Sequence, residues 1–295
     1  MGTSKCLSEG YTNYIADLLK RFLLTIMNIR ISTLIVLVCF STLVSAQQEQ
    51  TYIHEGEFGF SAGLGQYFGD INPNSVVKHT KFAASAFYLK QLNNYISLKA
   101  GAHYSFLGYS DKYSTNLHDH TRNLSFNSDV WEVSLSGNFN FFKFYPQLEE
   151  YRFTPYLSLG VGAINYNPYT YYGDQKVYLR QYKTEGQDVQ YSSFAFVVPI
   201  GFGVKYNISN HVNIFSEIIY RFTSTGYLDD VNGTYAGADA FKDAPIAKNL
   251  QDRSYIYGDA VGKKGYQRGN GKNDSYATFE IGLSFNLEGY SCPVY

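Results

Sequence analysis

A histidine, a serine and a glutamate occupy positions from which they could share one face of a sheet. His103 and Ser105 are two residues apart in a segment of alternating polar and apolar residues, and Glu132 lies on the polar side of the next such segment. A Ser–His–acid arrangement serves a hydrolase, in which the histidine takes the proton of the nucleophilic hydroxyl. The patterning of the strands, however, places all three in a packed interior that no acyl chain could enter. The sequence therefore favours a protein that is not an enzyme.

Two loop features suggest ligands of another kind. Asp229 and Asp230, with Asn232 two residues on, cluster the oxygen ligands that suit a hard cation such as Ca²⁺. Their spacing departs from that of an EF-hand loop, and two acids after a strand commonly cap a turn. The basic, glycine-rich segment 262–274 could touch lipopolysaccharide phosphates, but this composition is more typical of a mobile, solvated loop. We therefore predict no metal and no cofactor.

Eight segments with the period-two alternation of a β-strand must position these residues. They are residues 56–68, 80–92, 95–109, 128–143, 153–166, 191–207, 211–223 and 275–287. Most are far longer than the roughly 5–6 residues typical of a strand in a soluble protein. A tilted strand that crosses a membrane needs about 9–11 residues in the hydrocarbon. Eight long strands match the smallest outer-membrane barrels.

The connections between these segments alternate in length. Short connections alternate with long ones, the long ones being 69–79, 110–127, 167–190 and 224–274. With the N-terminus in the periplasm, every short turn falls on the periplasmic side and every long loop outside, as in outer-membrane barrels. A soluble β-sandwich, the alternative, has no reason to sort its loops this way. The predicted fold is all-β: an eight-stranded antiparallel transmembrane β-barrel with short periplasmic turns and long extracellular loops.

One face of the strands combines small residues with charges of both signs. An eight-stranded barrel is only wide enough for side chains to fill its interior, and an unpaired buried charge costs on the order of several kcal/mol. The sequence therefore predicts a plugged lumen with a network of paired charges, in which Glu280 pairs with Lys99, Lys205 or Arg221. The residues assigned to this network are Glu57, Lys99, His103, Glu132, Lys205, Glu217, Arg221 and Glu280. The segment 80–92 shows no clear alternation. In the segment 211–223, the apolar residues Phe215 and Ile219 stand at positions that the pattern assigns to the polar face.

The first 46 residues have the character of a targeting sequence. A short basic region at 27–30 precedes a mostly apolar stretch at 31–44, and small residues then allow cleavage after Ala46. The apolar stretch is shorter than the ~20 residues that a bilayer-spanning helix needs. We interpret Met27 as the true start and residues 1–26 as an extension upstream of the signal peptide.

The composition of the chain excludes several classes of function. Twenty-nine tyrosines and 26 glycines against one tryptophan, among 295 residues, indicate a strand-rich and turn-rich protein. Removal of residues 1–46 takes away four basic and two acidic residues, so residues 47–295, the predicted barrel domain, are slightly acidic. This balance argues against nucleic acid as a partner. Cys292 is then the sole cysteine, and it either stays free or pairs with another chain.

Four stretches of the mature chain resemble one family. They are GQYFGDINP (65–73), PYLSLGVGAINYNPYTY (155–171), IYRFTSTGYLDDVNGTY (219–235) and SYATFEIGLSFNLEGYSCP (275–293). The set resembles the PorG family, small outer-membrane barrel proteins of the type IX secretion and gliding machinery, across nearly the whole mature chain. YRFTxTxYLDDV is the most specific part, whereas loop 236–274 contributes nothing to the resemblance. The family-signature positions, with no chemistry assigned, are Gly69, Asp70, Asn72, Pro73, Tyr227, Leu228, Asp229 and Asp230.

The resemblance implies an integral outer-membrane component and not a catalyst. Proteins of this family associate with the periplasmic ring built from the lipoprotein PorK and its partner PorN, and they tie that ring to the outer membrane. The implied partners are therefore PorK, PorN and the lipid bilayer. The alternative is a stand-alone surface barrel similar to OmpA or OmpX, which would act through its long loops as an adhesin or membrane stabiliser.

A ring contact must lie on the predicted periplasmic surface. Tight turns supply little area, whereas a specific interface buries about 800 Å² on each side. The turn 144–152, the segment 47–55 and the tail 288–295 must then provide most of it, through the aromatic side chains that interfaces favour. The predicted contact residues are Tyr145, Pro146, Tyr151, Tyr290, Cys292 and Tyr295.

Overall fold

The computed structural model describes residues 56–72, 77, 79–145, 148–258 and 261–287. The predicted signal peptide and extension, residues 1–46, lie outside this part of the chain, as do the segment 47–55 and the tail 288–295. The boundary after Ala46 therefore stays a prediction. Within the described residues, no helix has the length and apolar character needed to cross a membrane.

Eight long antiparallel strands close into a barrel, and a short hairpin extends its wall on one side. The strands are β1 Gly56–Phe68, β2 Lys81–Gln91, β3 Ile96–Ser110, β4 Ser125–Asn140, β5 Phe153–Asn165, β6 Tyr169–Tyr172, β7 Gln175–Tyr178, β8 Phe194–Ser209, β9 Val212–Thr223 and β10 Ser275–Leu287. Around the barrel the order is β3-β2-β1-β10-β9-β8-β5-β4, and the pairing of β3 with β4 closes the ring. The predicted fold class is confirmed, and the eight predicted segments match the barrel strands to within three residues at each end.

The apolar face of each strand points away from the barrel interior. Phe60, Val133 and Phe196 are 60%, 69% and 77% exposed, whereas alternate residues of the same strands are buried. Exposed apolar side chains encircle the barrel in this way, which is the arrangement of a wall that faces lipid. The period of two thus places the polar and charged residues inside.

Large inward side chains complete the filling of the lumen. Phe215 and Ile219 interrupt the polar phase of β9 because both point inward, where they are 2% and 8% exposed. Phe87 also points inward and packs edge-on against Phe215, with 5.4 Å between ring centroids. The Phe87 ring lies where a Cβ on Gly59 would fall, 2.2 Å from its nearest atom. Gly59 of β1 is paired with Phe87 of the neighbouring strand β2, and its lack of a side chain leaves room for this ring inside the barrel.

The hairpin β6–β7 was not predicted from the sequence. It lies within the long connection 167–190, where Asn127 of β4 pairs with Tyr169 of β6, and β6 pairs with β7. Gly173 at its tip has φ of +60°, a conformation that favours glycine. Two short runs rich in Tyr, Thr and Val around a Gly-Asp pair are a hairpin signal, and that signal was available in the sequence.

The long loops fold together over one end of the barrel. We call the described parts of residues 69–72, 111–124, 166–193 and 224–274 the cap. Its helices are α1 Leu117–Arg122, α2 Leu179–Tyr182 and α3 Pro245–Gln251, with short 3₁₀ turns at Asp111–Tyr113, Ala238–Phe241 and Ser254–Ile256. The buried apolar core runs from the upper barrel into the cap and includes Tyr67, Phe126, Leu228, Leu250 and Tyr276. The short turns lie at the opposite end of the barrel, together with the start of β1 and the end of β10.

Candidate functional site

Ion pairs cross the lumen from one end to the other. In order from the short-turn end towards the cap they are Glu57–Lys205, Glu217–Lys99, Glu280–His103 and Glu132–Arg221. The shortest distances between their polar atoms are 2.9, 2.8, 2.9 and 2.6 Å. The structure thus brings together, as pairs, all the residues that the sequence analysis assigned to the lumen network.

The pair nearest the cap is the most completely enclosed. Arg221 donates from Nε to Glu132 at 2.6 Å and from Nη1 to the Thr278 hydroxyl at 2.7 Å, and the Tyr276 hydroxyl donates to Glu132 at 2.9 Å. Arg221 and Glu132 are each 2% exposed. Charge-assisted bonds of this kind hold both partners in one geometry, so this level of the lumen is a fixed plug.

The prediction that Glu280 pairs with a lysine or an arginine is wrong. Its basic partner is His103, whose Nε2 lies 2.9 Å from Glu280 Oε1, and the Ser61 hydroxyl also donates to Glu280. The three cations named as candidates pair instead with Glu217, Glu57 and Glu132. The pairing depends on which side chains face each other across the lumen. The alternation within one strand does not indicate which strand lies opposite.

The residues of a hydrolase do not form a catalytic arrangement. His103 Nδ1 is 3.9 Å from Glu132, and its Nε2 is taken up by Glu280. The Ser105 hydroxyl is fully buried against Gly65 and makes no hydrogen bond within the described residues. A nucleophile needs its base within hydrogen-bond reach and a substrate path. Neither is provided by these three side chains.

A small cavity remains beside these pairs. It has a volume of about 30 Å³ and is lined by polar residues, among them His103, Glu132 and Arg221, and by apolar ones such as Phe87 and Ile219. This is room for one or two water molecules, and His103 Nδ1 makes no hydrogen bond within the described residues. The cavity is far too small for a solute pathway.

The cap contains buried acids that have no such basic partners. The Tyr67 hydroxyl lies 2.6 Å from Asp229 Oδ2 and 2.9 Å from Asp274 Oδ1, and both carboxyl groups are at most 2% exposed. One phenol has one proton to donate, so it cannot satisfy both carboxylates at once. Burial, and then the neighbouring Asp70 charge, raises the pKa of Asp229 well above its usual range. Burial, and then the Asp229 charge, does the same for Asp274.

These acids also hold the backbone of the cap. Asp229 accepts from the backbone N–H groups of Ile71 and Val231, at 3.2 and 2.9 Å, and Asp274 accepts from that of Leu228 at 2.9 Å. They therefore join the first long loop, the last long loop and the start of β10.

Most of the signature positions meet at this cluster. Gly69 lies so close to it that an added Cβ would fall 2.0 Å from both Asp274 and the Tyr67 hydroxyl. The Asn72 amide donates to the Tyr67 carbonyl at 2.9 Å, and Asp70 accepts from the Asn270 N–H at 3.0 Å. Burial raises the pKa of Asp70 to about 6. Pro73 lies outside the described residues, and Tyr227 is half-buried in the cap.

Two arginines that the sequence analysis missed tie the loops of the cap together. Arg122 makes a bidentate pair with Asp111, at 2.7 and 2.8 Å, and donates to the carbonyls of Asp70 and Arg268. Arg268 is 3% exposed and contacts Glu185 and Asp230. The segment 262–274 is therefore not wholly a solvated loop, as its composition had indicated. No periodic pattern marks these loop residues.

The acids at 229 and 230 point to different partners and do not share a cation site. Asp230 accepts hydrogen bonds from the hydroxyls of Thr184 and Tyr191, while Asp229 faces Tyr67. Burial raises the pKa of Asp230 to about 6 in spite of Arg268 beside it. Within the part of the chain that the structure describes, no group of His, Cys, Asp or Glu side chains is arranged to hold a metal ion.

The predicted partner interface is described only in part. Pro146, Tyr290, Cys292 and Tyr295 lie outside the described residues. Tyr145 is 8% exposed and packs edge-on against the half-buried Tyr151, so little of its ring is open to a partner, and its part in the contact stays a prediction. The most exposed apolar side chains described in the β4–β5 connection, residues 141–152, are Phe142 and Leu148, at 54% and 52%, followed by Phe141 at 47%.

The strand order, the outward apolar face and the filled lumen define the class of protein: a closed eight-stranded β-barrel of the outer-membrane type. The sequence matches the model of one family, described as a domain of unknown function (DUF6089), over residues 31–261, and the chain belongs to that family. No curated protein sequence matches it significantly.

Solved barrel structures are similar at low sequence identity. Neisserial surface protein A (NspA) is 8% identical with a TM-score of 0.42, covering 79% of this chain and 97% of its own. The attachment invasion locus protein Ail of Yersinia pestis is 11% identical with a TM-score of 0.36, covering 79% and 99%. The N-terminal barrel domain of Pseudomonas aeruginosa OprF is 11% identical with a TM-score of 0.35, covering 79% and 99%. These similarities do not bear on function.

Proposed function

We propose that this chain is a non-conducting, non-catalytic barrel of the outer membrane that anchors the PorK/PorN ring of a type IX secretion machine. The observation that carries the non-conducting role is the lumen, which ion pairs and inward rings fill along its length. A barrel that does not transport and whose described lumen holds no accessible catalytic group is suited to serve as a fixed point in the membrane. The ring as partner rests on the sequence resemblance to the PorG family.

The absence of a pore can be tested in a planar bilayer. The purified full chain, reconstituted in lipid, should give no stable conductance steps under conditions in which an open porin does. A reproducible open channel would contradict the plugged lumen.

The ring contact can be tested by copurification from detergent-solubilised outer membranes. The double variant Phe142→Ser/Leu148→Ser removes the two most exposed apolar side chains described in the β4–β5 connection. The matched control is Leu117→Ser, because Leu117 is 79% exposed in the cap at the other end of the barrel. We expect the turn variant to fold and to lose PorK and PorN, while the control retains both.

A deletion in the tail separates the contribution of the tail to the ring contact from that of the turn. Removal of residues 289–295 should also reduce ring recovery if the tail shares the contact. A folded protein that keeps the ring after both changes would reject the turn and the tail as the interface and leave the segment 47–55 as the part of the short-turn end to be deleted next.

A specific observation supports a second candidate, the stand-alone surface barrel. Tyr255, Ile256 and Tyr257 form an exposed apolar run in the cap, at 42%, 53% and 53%. Such a run suits an adhesin that acts through its long loops. Absence of ring proteins from every purification, together with loss of cell attachment after Tyr255→Ser/Tyr257→Ser, would favour this candidate.

A further inference from the structure

A patch of aromatic and charged side chains lies on the outer surface of the molecule, where the barrel wall meets the β6–β7 hairpin of the cap. We call this the wall patch; it comprises Tyr104, Asp129, Trp131, Tyr169, Lys176 and Tyr178. It lies where β3, β4 and the β6–β7 hairpin adjoin. None of these residues takes part in the lumen network or in the acid cluster of the cap.

The register shows that the wall patch is continuous with the lipid-facing surface. Tyr104 stands opposite Trp131, and their rings are 4.8 Å apart. Trp131 is 59% exposed, and the next outward residues of β4, Val133 and Leu135, are 69% and 54% exposed. The patch therefore begins at the upper edge of the apolar wall, at the level where lipid headgroups meet a membrane barrel.

The hairpin places a lysine on the outward side of this surface. Lys176 Nζ lies 3.7 Å from the centroid of the Tyr169 ring and 5.2 Å from that of Tyr178. Among the described residues no carboxylate forms an ion pair with Lys176. Stacking on tyrosine orients the ammonium group without neutralising it. The Asp129 carboxylate acts on Lys176 as well, but it forms no ion pair with it, so the ammonium group can still contact an anion.

On the neighbouring strands a second lysine lies near an aromatic ring, and a carboxylate adds a hydrogen-bond acceptor. Lys81, at the start of β2, lies with Nζ 5.2 Å from the Phe106 ring on the outward face of β3. Asp129, opposite Phe106, accepts a hydrogen bond from the Tyr104 hydroxyl at 2.6 Å. The rim thus offers positive charges, a carboxylate and aromatic faces side by side.

We propose that the wall patch binds the phosphorylated sugar headgroup of an outer-leaflet glycolipid of the lipopolysaccharide class. Lys176 contacts a phosphate, Asp129 accepts from a sugar hydroxyl, and the exposed rings pack on the sugar. A membrane lipid is the occupant because the apolar wall directly below the patch accommodates its acyl chains. The proposal rests on the outer-membrane location given under the proposed function, but not on the ring.

The basic segment 262–274 is a weaker candidate for the same ligand. Its Arg268 is buried in ion pairs with Glu185 and Asp230 and cannot reach a headgroup. Lys263 remains exposed in that segment, and it provides a matched control for Lys176.

The single tryptophan of the chain lies in the wall patch, so its fluorescence reports on binding there. The purified full chain in detergent micelles is titrated with lipopolysaccharide, and separately with the same lipid after enzymatic removal of its phosphates. We expect a saturable change in Trp131 emission with the intact lipid, and a midpoint raised by roughly fivefold in Lys176→Gln. Lys176→Arg should retain the wild-type midpoint, and so should Lys263→Gln.

Several outcomes would overturn the proposal. An unchanged midpoint in Lys176→Gln, an equal response to the dephosphorylated lipid, or a loss in Lys263→Gln as large as in Lys176→Gln would each reject phosphate binding at the wall patch. Heat-modified migration on gels verifies that each variant is folded. Ring copurification with Lys176→Gln should equal that of the wild type, so failure of lipid binding and failure of ring anchoring are distinguishable.

Discussion

The lumen and the cap both bury carboxyl groups, but they neutralise them differently. In the lumen, Glu57 and Glu132 face Lys205 and Arg221 at hydrogen-bond distance. In the cap, Asp229 and Asp274 face one phenol, that of Tyr67. Bases face these acids of the lumen, whereas in the cap cluster burial and repulsion between neighbouring acids raise the pKa of Asp229 and Asp274 and so favour their protonated forms.

The difference follows from the backbone around each group. Strands in the barrel satisfy their own N–H groups, so a lumen carboxylate needs a side-chain partner from another strand. Loops leave N–H groups unpaired, and the cap acids accept from those of Ile71, Leu228 and Val231. A carboxyl group can therefore hold a loop by hydrogen bonds alone, without a cation. This arrangement is favourable when the group does not have to be ionised next to a second acid.

The largest effect should come from breaking a lumen pair. Arg221→Gln leaves Glu132 buried without its base, and this should lower the free energy of unfolding by about 3–5 kcal/mol. Urea-induced unfolding of the barrel in micelles measures the change. The double variant Glu132→Gln/Arg221→Gln should recover most of the loss, because no uncompensated charge remains. A double variant as unstable as the single one would show that shape, and not charge, dominates at this level.

A smaller effect is expected where the donor is neutral. Tyr67→Phe removes the hydroxyl that serves both Asp229 and Asp274, at a cost of about 1–3 kcal/mol. The same unfolding measurement applies. A loss equal to that of Arg221→Gln would contradict the distinction between the two regions.

The cap should loosen as pH rises. Asp274 has a folded-state pKa above its unfolded value of 3.8, so its contribution to stability is complete below that value and is lost as pH rises through the folded-state pKa. In Asp274→Asn, the amide oxygen can still accept from Leu228 and the NH₂ group can donate to the Tyr67 oxygen. We expect this variant to resist proteolysis of the cap loops at pH 9 by roughly fivefold more than the wild type, with little difference at pH 4.

Asp70 and Asp230, with pKa values of about 6, should add to the same trend near neutral pH. Cleavage rates that do not change between pH 4 and pH 9 in the wild type would reject proton sharing in the cap.

The smallest effect should come from an exposed pair. Arg152 lies 3.4 Å from Glu149, whose side chain is 85% exposed. Arg152→Gln should change the unfolding free energy by less than about 0.5 kcal/mol. A larger change would indicate that the β4–β5 turn has a structural role beyond this pair.

The barrel could be predicted from the sequence because alternation is a local property. The position of every barrel strand followed from residues two positions apart, and so did the outward face and the inward charges of most strands, whereas β2 showed no clear phase. Phe215 departed from the pattern because the lumen also needs volume, which Phe215 and Phe87 supply opposite small residues. The partner of Glu280 could not be predicted, since it depends on which strand lies across the lumen.

The cap was beyond prediction for a different reason. Arg122, Arg268 and Asp274 lie in loops, where no repeat relates a residue to its neighbours in space. Asp274 in particular ends the segment 262–274, whose composition is typical of a solvated loop, yet it is 2% exposed and bonded to two other elements. The resemblance of the signature positions indicated that they matter, but not that they meet around Tyr67.

The connectivity of the lumen pairs has a consequence for biosynthesis. Each pair joins a residue of β1, β3 or β4 to one of β8, β9 or β10, and the partners are 89 to 177 positions apart along the chain. β1 itself pairs with β10, so the first and last barrel strands must meet before the ring is closed. A chain that so far contains only β1 to β5 has inward charges whose counterparts do not yet exist. Such non-local contacts form slowly, so we expect the barrel to fold only once β8 to β10 are present, and a chain truncated before β8 to lack each of these ion pairs of the lumen.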